Sequence, residues 1–271
     1  MIRINDNEFN ELVRYIKTQY GIDLEKKRVL IEGRLASVLA EKKCNTFTDY
    51  INILKRDRTG TEVTLLLNKV TTNHTFFMRE PKHFEYLKST VLPEYEKTHL
   101  QKVFHIWSAG CSAGAEAYTT VMTLYDYFGA KKSSWDTRIT ATDISESVLA
   151  KGRAGIYPVD MIKDVPIAWR NQYFKQVDKD NVQIIDKLRK EVEFKTLNLM
   201  ENFRFLKKFQ LIFCRNVMIY FDQDTRTKLI NKFYDVLEPG GYLFIGHSET
   251  IPRGTTKFEY VMPAIYKKVE K

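Results

Sequence analysis

Cysteine is scarce: the 271 residues carry three, Cys44, Cys111 and Cys214. An odd count without a C-x-x-C pair argues against a disulfide framework and a zinc ribbon, and fits a reducing compartment. The five histidines fall in neither H-E-x-x-H nor H-x-x-E-H spacing, so no metal is expected. No apolar run reaches the roughly 20 residues that a spanning helix needs. The longest, around 211–221, is interrupted by Arg215 and Asn216. The opening stretch MIRINDNEFNELV is charged throughout and has no signal-peptide core, so a cytoplasmic location without membrane insertion is expected. Internal repeats and low-complexity tracts are lacking too.

Apolar residues and positive charge are plentiful. At 44% hydrophobic content the chain has enough apolar surface to bury a sizeable core. The net charge of +9 is compatible with nucleic acid, an anionic membrane or an acidic protein surface as partner, and equally with a merely solubilising surface.

The first seventy or so residues read as helices. Ile31, Leu35, Val38 and Leu39 recur at helical spacing, FTDYINIL and EVTLLLNKV extend the pattern, and no strand-like alternation interrupts it. A small all-α domain is expected. The character changes near Pro81. From Lys102 onward VFHIW, RITATD, VEFKTLNL, FQLIFCRN and YLFIGH read as strands, separated by the helical stretches AEAYTTVMTLYDYF, SESVLAKGRA and DTRTKLINKFYDVL. Such alternation predicts an α/β fold with a mostly parallel, doubly wound sheet. KFEYVM and AIYKKV flank Pro263 without room for a crossover helix, so the sheet should end in an antiparallel pair. The short pieces QYFKQV, DKDNVQII and EVEFK suggest a small antiparallel β-insert over about 172–195.

The sharpest local feature is VFHIWSAGCSAGAEAYTTVM, a buried strand, a small-residue turn and a helix. Small residues admit a ligand close to the backbone, and the helix start offers free N–H groups beside it. The spacing from Gly110 to Gly114 is G-x-x-x-G, neither a dinucleotide fingerprint nor a phosphate loop, and the lysine of NTPases is missing. A cofactor without phosphates, such as S-adenosylmethionine, suits this looser turn. Asp143 ends the next strand, where an acid accepts both ribose hydroxyls; it could equally cap the helix that starts near Ser145. Asn198, Leu199, Arg215 and Asn216 follow two further strands and so reach the same sheet edge, where ligands of open parallel sheets sit.

Taken in order, TTNHTFFMRE (71–80), WSAGCSAGAEAY (107–118), ATDIS (141–145), NLM (198–200), FCRNVMIYFD (213–222) and PGGYLFIGHSE (239–249) closely resemble the chemotaxis-receptor glutamate O-methyltransferases, over nearly the whole chain. The resemblance implies a class I S-adenosylmethionine methyltransferase fold: a helical domain over 1–72, a linker over 73–88 that contributes to the cofactor site, and a catalytic domain over 89–271. It implies that Asn73, Thr75, Arg79, Gly110, Glu116, Asp143, Asn198, Leu199, Arg215 and Asn216 hold S-adenosylmethionine. Arg79 and Tyr220 would lie nearest the transferred methyl group. Three positions depart from the family pattern: Ala115 and Ala117 stand where a Glu and a Pro are usual, and Met78 replaces a Phe.

The implied reaction carries methyl from a sulfonium to a glutamate carboxylate of a receptor's helical cytoplasmic region. That acceptor is already ionised, its reference pKa being about 4.3, so no general base is required. Lys27, Arg28 and Arg34 are candidates for meeting the acidic receptor, although interspersed glutamates also allow a solvated mixed-charge face. The turn QVDKDNVQ (176–183) is short and has no glycine, so independence from a C-terminal receptor pentapeptide is expected, as is a monomer. Two alternatives stay open: a nucleic-acid methyltransferase, against which the lack of an N-P-P-Y or D-P-P-Y stretch counts, and a non-catalytic scaffold that binds the cofactor.

Overall fold

Two capping boxes start the chain's helical region. Asn5 and Glu8 close one end of α1 (Asp6–Tyr20), and after α2 (Arg28–Glu41) Thr46 and Asp49 do the same for α3 (Phe47–Arg56). The helix α4 (Thr61–Val70) completes the group. The computed structural model describes residues 2–71 and 75–269. Beyond the linker, α5 (Lys82–Tyr86), a π-helical segment (Leu87–Val91) and α6 (Leu92–Thr98) follow one another without a break.

The remainder alternates as its periodicity predicts. In chain order come β1 (Ile106–Ala109), α7 (Ala115–Phe128), β2 (Ile139–Asp143) and α8 (Glu146–Ala154), then β3 (Ile156–Pro158), α9 (Ile167–Tyr173), β4 (Phe174–Gln176), β5 (Asn181–Ile184) and α10 (Asp186–Arg189). The chain continues through β6 (Val192–Thr196), β7 (Phe209–Cys214), α11 (Gln223–Val236) and β8 (Leu237–Ile245) to β9 (Phe258–Met262) and β10 (Ile265–Lys268). Seven strands form one sheet in the order β6-β2-β1-β7-β8-β10-β9. Pairings are parallel from β6 to β8, and β10 runs antiparallel to both its neighbours. This is the class I methyltransferase arrangement. The chain leaves β1 toward β2 on one side and returns through β7 on the other, which opens a crevice at the carboxyl end of β1.

The second sheet is antiparallel, in the order β3-β5-β4. It differs from the expected insert in two respects. Its first strand begins at Ile156, before the expected start. Val192–Thr196, read as part of the insert, pairs in parallel with β2 and forms the edge of the main sheet. Its apolar Val192 and Phe194 alternate with polar residues, as on any half-buried strand, so periodicity alone does not assign it to a sheet.

Two apolar clusters flank the main sheet. One contains the interior of α1–α4 together with Trp107, Ile212, Phe233, Leu243 and Tyr266. The helical region therefore shares its core with one face of the sheet. The other joins α5–α8, the small sheet and the opposite face. Ala115 and Ala117 are fully buried there, in the first turn of α7.

Candidate functional site

Gly110 and Gly114, at the two ends of the turn after β1, have φ of +74° and +85°. A Cβ on Gly110 would lie 2.4 Å from Val217 Cγ2, and one on Gly114 would lie 2.7 Å from the Phe194 ring. The glycines thus permit close packing of the turn on its own protein, beyond the ligand approach inferred from the sequence. The turn is also tied to the acid of the next strand: the Ser112 N–H donates to Asp143 Oδ2 at 2.9 Å. Asp143 Oδ1 accepts from the Ser145 N–H at 3.0 Å. Asp143 thus bonds the N–H of Ser145, the residue before α8, rather than an N–H of the helix itself, and it lines the cavity described next.

A cavity of about 540 Å³ opens at this edge, between the helical region and the sheet. Thr75, Arg79, Gly110, Glu116, Asp143, Asn198, Leu199, Arg215, Asn216 and Tyr220 all line it. Asn73, the remaining expected cofactor residue, lies outside the described residues. The helical region contributes Tyr20, Ile22, Lys27, Leu30 and Arg34 to the wall. Arg28 is not among the lining residues. Its guanidinium donates to the Ile4 carbonyl at 3.1 Å and the Asp6 carboxylate at 2.6 Å, and stacks over Phe9. A shared helix does not put Arg28 beside Lys27 functionally, because successive residues face different directions. Arg34 reaches the cavity but also caps α4, donating to the carbonyls of Lys69 at 3.0 Å and Thr71 at 3.2 Å.

The linker is held from three sides. Phe77 is fully buried and packs edge-on against Tyr157 and Phe174. The Met78 N–H donates to Thr119 Oγ1 of α7 at 3.3 Å. Arg215, at the end of β7, donates to the Arg79 carbonyl, to Glu80 Oε2 at 3.1 Å and to Glu116 Oε2 at 3.1 Å. Ser108 completes the Glu116 cage, its hydroxyl donating to Oε1 at 2.6 Å. Burial pushes the Glu116 carboxyl upward, and the neighbouring Arg215 opposes that shift. Burial likewise raises Asp143, against the lowering effect of its backbone donors.

Glu249 organises the segment leading to Tyr220. It accepts from the N–H groups of Gly246 at 2.7 Å, Asn216 at 2.8 Å and Ile219 at 3.2 Å. Tyr220 is fixed from the helical side too: its carbonyl accepts from the Asp23 N–H at 2.8 Å, beside a bridge between Ile22 and Phe221. Ser108, Glu80 and Glu249 had no role in the reading of the sequence. All three lie within motifs quoted from the sequence, but nothing in linear spacing links position 80 to 215 or position 249 to 216.

The residues present suit S-adenosylmethionine. Asn216 Oδ1 is buried without a hydrogen-bond partner and stands ready for a donor group. Asp143 offers a carboxylate at the crevice where a ribose would sit. Among the described residues no helix is long and apolar enough to cross a membrane.

Comparison with known proteins agrees with this geometry. Residues 7–71 match the family profile described as "CheR methyltransferase, all-alpha domain", and residues 73–266 match "CheR methyltransferase, SAM binding domain". A chemotaxis protein methyltransferase of Borreliella burgdorferi is 47% identical over 272 residues, covering 98% of this chain and 96% of its own. The chemotaxis protein methyltransferase of Vibrio anguillarum is 34% identical, covering 96% and 95%. That of Escherichia coli is 32% identical, covering 98% and 92%. The chain belongs to the CheR family of S-adenosylmethionine-dependent chemotaxis methyltransferases.

Proposed function

We propose that this methyltransferase esterifies glutamate side chains of chemotaxis receptors in the cytoplasm. One observation carries the reading: among the described residues lining the cavity there is no histidine, and its carboxylates are already engaged. Glu116 is caged by Ser108 and Arg215, and Asp143 by two backbone donors. Asp23 accepts the Glu25 N–H at 3.0 Å and lies 3.9 Å from Lys17 Nζ. Among the described residues the wall thus offers neither a histidine nor an unengaged carboxylate as base, which suits an acceptor that needs no deprotonation, and a carboxylate is one.

When bound, the cofactor's sulfonium supplies an electrophilic methyl group. The chain's own residues bind and align. Asp143 and Asn216 hold the cofactor's polar groups, and Glu116 and Arg215 shape the floor beneath it. Arg79 orients the incoming carboxylate by charge-assisted hydrogen bonds, and Tyr220 positions the attacking oxygen. Alignment together with the exclusion of water supplies the rate. Lys27, on the cavity wall, meets the acidic receptor surface.

The β4–β5 connection supports independence from a tethered receptor pentapeptide. Asp178 closes it, its Oδ1 accepting the N–H groups of Asp180 at 2.8 Å and Asn181 at 2.9 Å. This tight turn is bonded to itself and projects no extended loop over a ligand.

The test is transfer of tritiated methyl from S-adenosylmethionine to receptor-containing membranes. Label released as methanol by alkali is expected, with no dependence on the receptor's last five residues. Alkali-stable label, or label in nucleic acid, would overturn the reading.

A further inference from the structure

Glu80 has no place among the groups expected to touch cofactor or acceptor, and it does not line the cavity. Yet it is one of the most constrained side chains near the site. Its Oε2 accepts from Arg215 Nε at 3.1 Å, and its Oε1 accepts from the His247 N–H at 3.3 Å. These contacts join the linker to the ends of β7 and β8. Arg215 is nearly fully buried and continues the chain of bonds to the Arg79 carbonyl and to Glu116. The backbone conforms to this arrangement at some cost. Met78 and Glu80 have φ of +62° and +55°, the left-handed region that side-chain-bearing residues occupy only when their surroundings hold them there.

We infer that Glu80 is a positioning residue: through Arg215 it fixes the height of Arg79 and the orientation of Glu116 at the cofactor cavity. A planar guanidinium with donors in a fixed fork can serve two carboxylates and a carbonyl only in one orientation. With Glu80 removed, Arg215 keeps Glu116 but is free to turn about that contact. The Arg79 carbonyl then loses a defined partner.

A competing reading of the same residues is a metal site. Glu80, His83 and His247 offer ligand atoms within 4.8 Å of one another. Both ring nitrogens of His83 are buried without a hydrogen-bond partner, and burial lowers its pKa to about 3, leaving it neutral. One feature favours the ion pair over a cation. The Arg215 guanidinium already occupies Glu80, so a dication would face a positive charge across one carboxylate.

The decisive experiment is calorimetric binding of S-adenosylhomocysteine to the full chain, which does not depend on the identity of the methyl acceptor. Glu80→Gln keeps the side-chain volume and is expected to weaken binding at least fivefold. In an Arg215→Lys background the same change should add less than twofold, because its route is already cut. A purely architectural role predicts undiminished loss in both backgrounds, and that additive result would overturn the proposal. So would binding within twofold of the native protein in Glu80→Gln. If thermal unfolding shows that Glu80→Gln does not fold, Glu80→Asp decides: measurably weakened binding supports the role, and native affinity overturns it. Loss of native binding on dialysis against EDTA, restored by zinc, would replace it with the metal reading.

Discussion

Ser112 and Asp143 hold each other: the turn after β1 donates a backbone N–H to the acid at the tip of β2 at 2.9 Å. Asp143 is therefore positioned before any cofactor arrives, by backbone donors that work against the upward pull of burial on its pKa. Because that burial raises its pKa, protonation on acidification begins above the ordinary carboxylate range. The apo protein gains stability from that protonation as pH falls, whereas a cationic cofactor favours the ionised form. Affinity for S-adenosylmethionine should accordingly fall on acidification, beginning above the pH at which an ordinary carboxylate protonates. Asp143→Asn should weaken binding about tenfold near pH 8 and flatten the decline, since a charge-assisted hydrogen bond contributes about 1.5–3 kcal/mol. Calorimetric titration across the pH series checks both; an equally steep decline in the variant would refute the assignment.

Gly110→Ala is expected to destabilise the fold by two additive routes. The left-handed backbone costs about 1–2 kcal/mol for an L side chain, and the overlap with Val217 adds about 1–3 kcal/mol of overpacking. Val217→Ala in the same chain should recover the second part and leave the first. Denaturant midpoints of the two proteins separate them.

Lys27 and Arg34 share the cavity wall and should behave differently. Lys27→Glu should slow methylation of receptors, with a deficit that narrows as salt is raised, because a long-range field is screened. Arg34→Ala should lose about fivefold in cofactor affinity at all salt concentrations, since what it removes is a pair of bonds to the Lys69 and Thr71 carbonyls, worth about 1 kcal/mol net. Arg28→Ala should leave both measurements unchanged. Rates on receptor membranes at low and high salt, with calorimetry alongside, distinguish the three.

Asp222 caps α11, its Oδ1 accepting the Thr225 N–H at 2.9 Å, and pairs with Lys17 of α1 at 3.1 Å. Its carboxyl is lowered to about 2, chiefly by the bonds from Thr225. A depressed folded pKa gives stability that is present above the unfolded value and lost as pH falls toward 2. Asp222→Ala should cost about 1 kcal/mol at neutral pH, and its thermal midpoint should fall less steeply with acid than that of the native protein. Parallel melting curves in acid would contradict this.

Much of the sheet and its crevice was legible in the sequence because each depends on short-range pattern. Apolar runs ending in Asp143, Asn198 and Arg215 identify strands and their carboxyl ends, and Gly110 with Gly114 identifies the turn. Less legible was whatever depends on a choice of partner. Val192–Thr196 could have joined either sheet, since one edge strand presents the same alternation to both. Arg28 and Arg34 look equivalent on a helix, yet one is tied to Asp6 and the other to the carbonyls before the linker. Glu80 gives no sign in the sequence that it meets Arg215, 135 positions away.

The family profiles meet at residues 71–73, but one apolar cluster draws its members from both sides of that junction. Ile22 and Leu24 bury against the same mass of side chains as Met218, Phe221 and Phe233. A seam of ancestry need not be a seam of folding. Severed at the linker, the sheet-bearing fragment would uncover the apolar face it shares with the helices and lose the strand-like contact that steadies Tyr220. The helices would be left with half an interior. Heating should accordingly melt the whole chain in one transition, and the catalytic wall should be lost with the first helix that leaves.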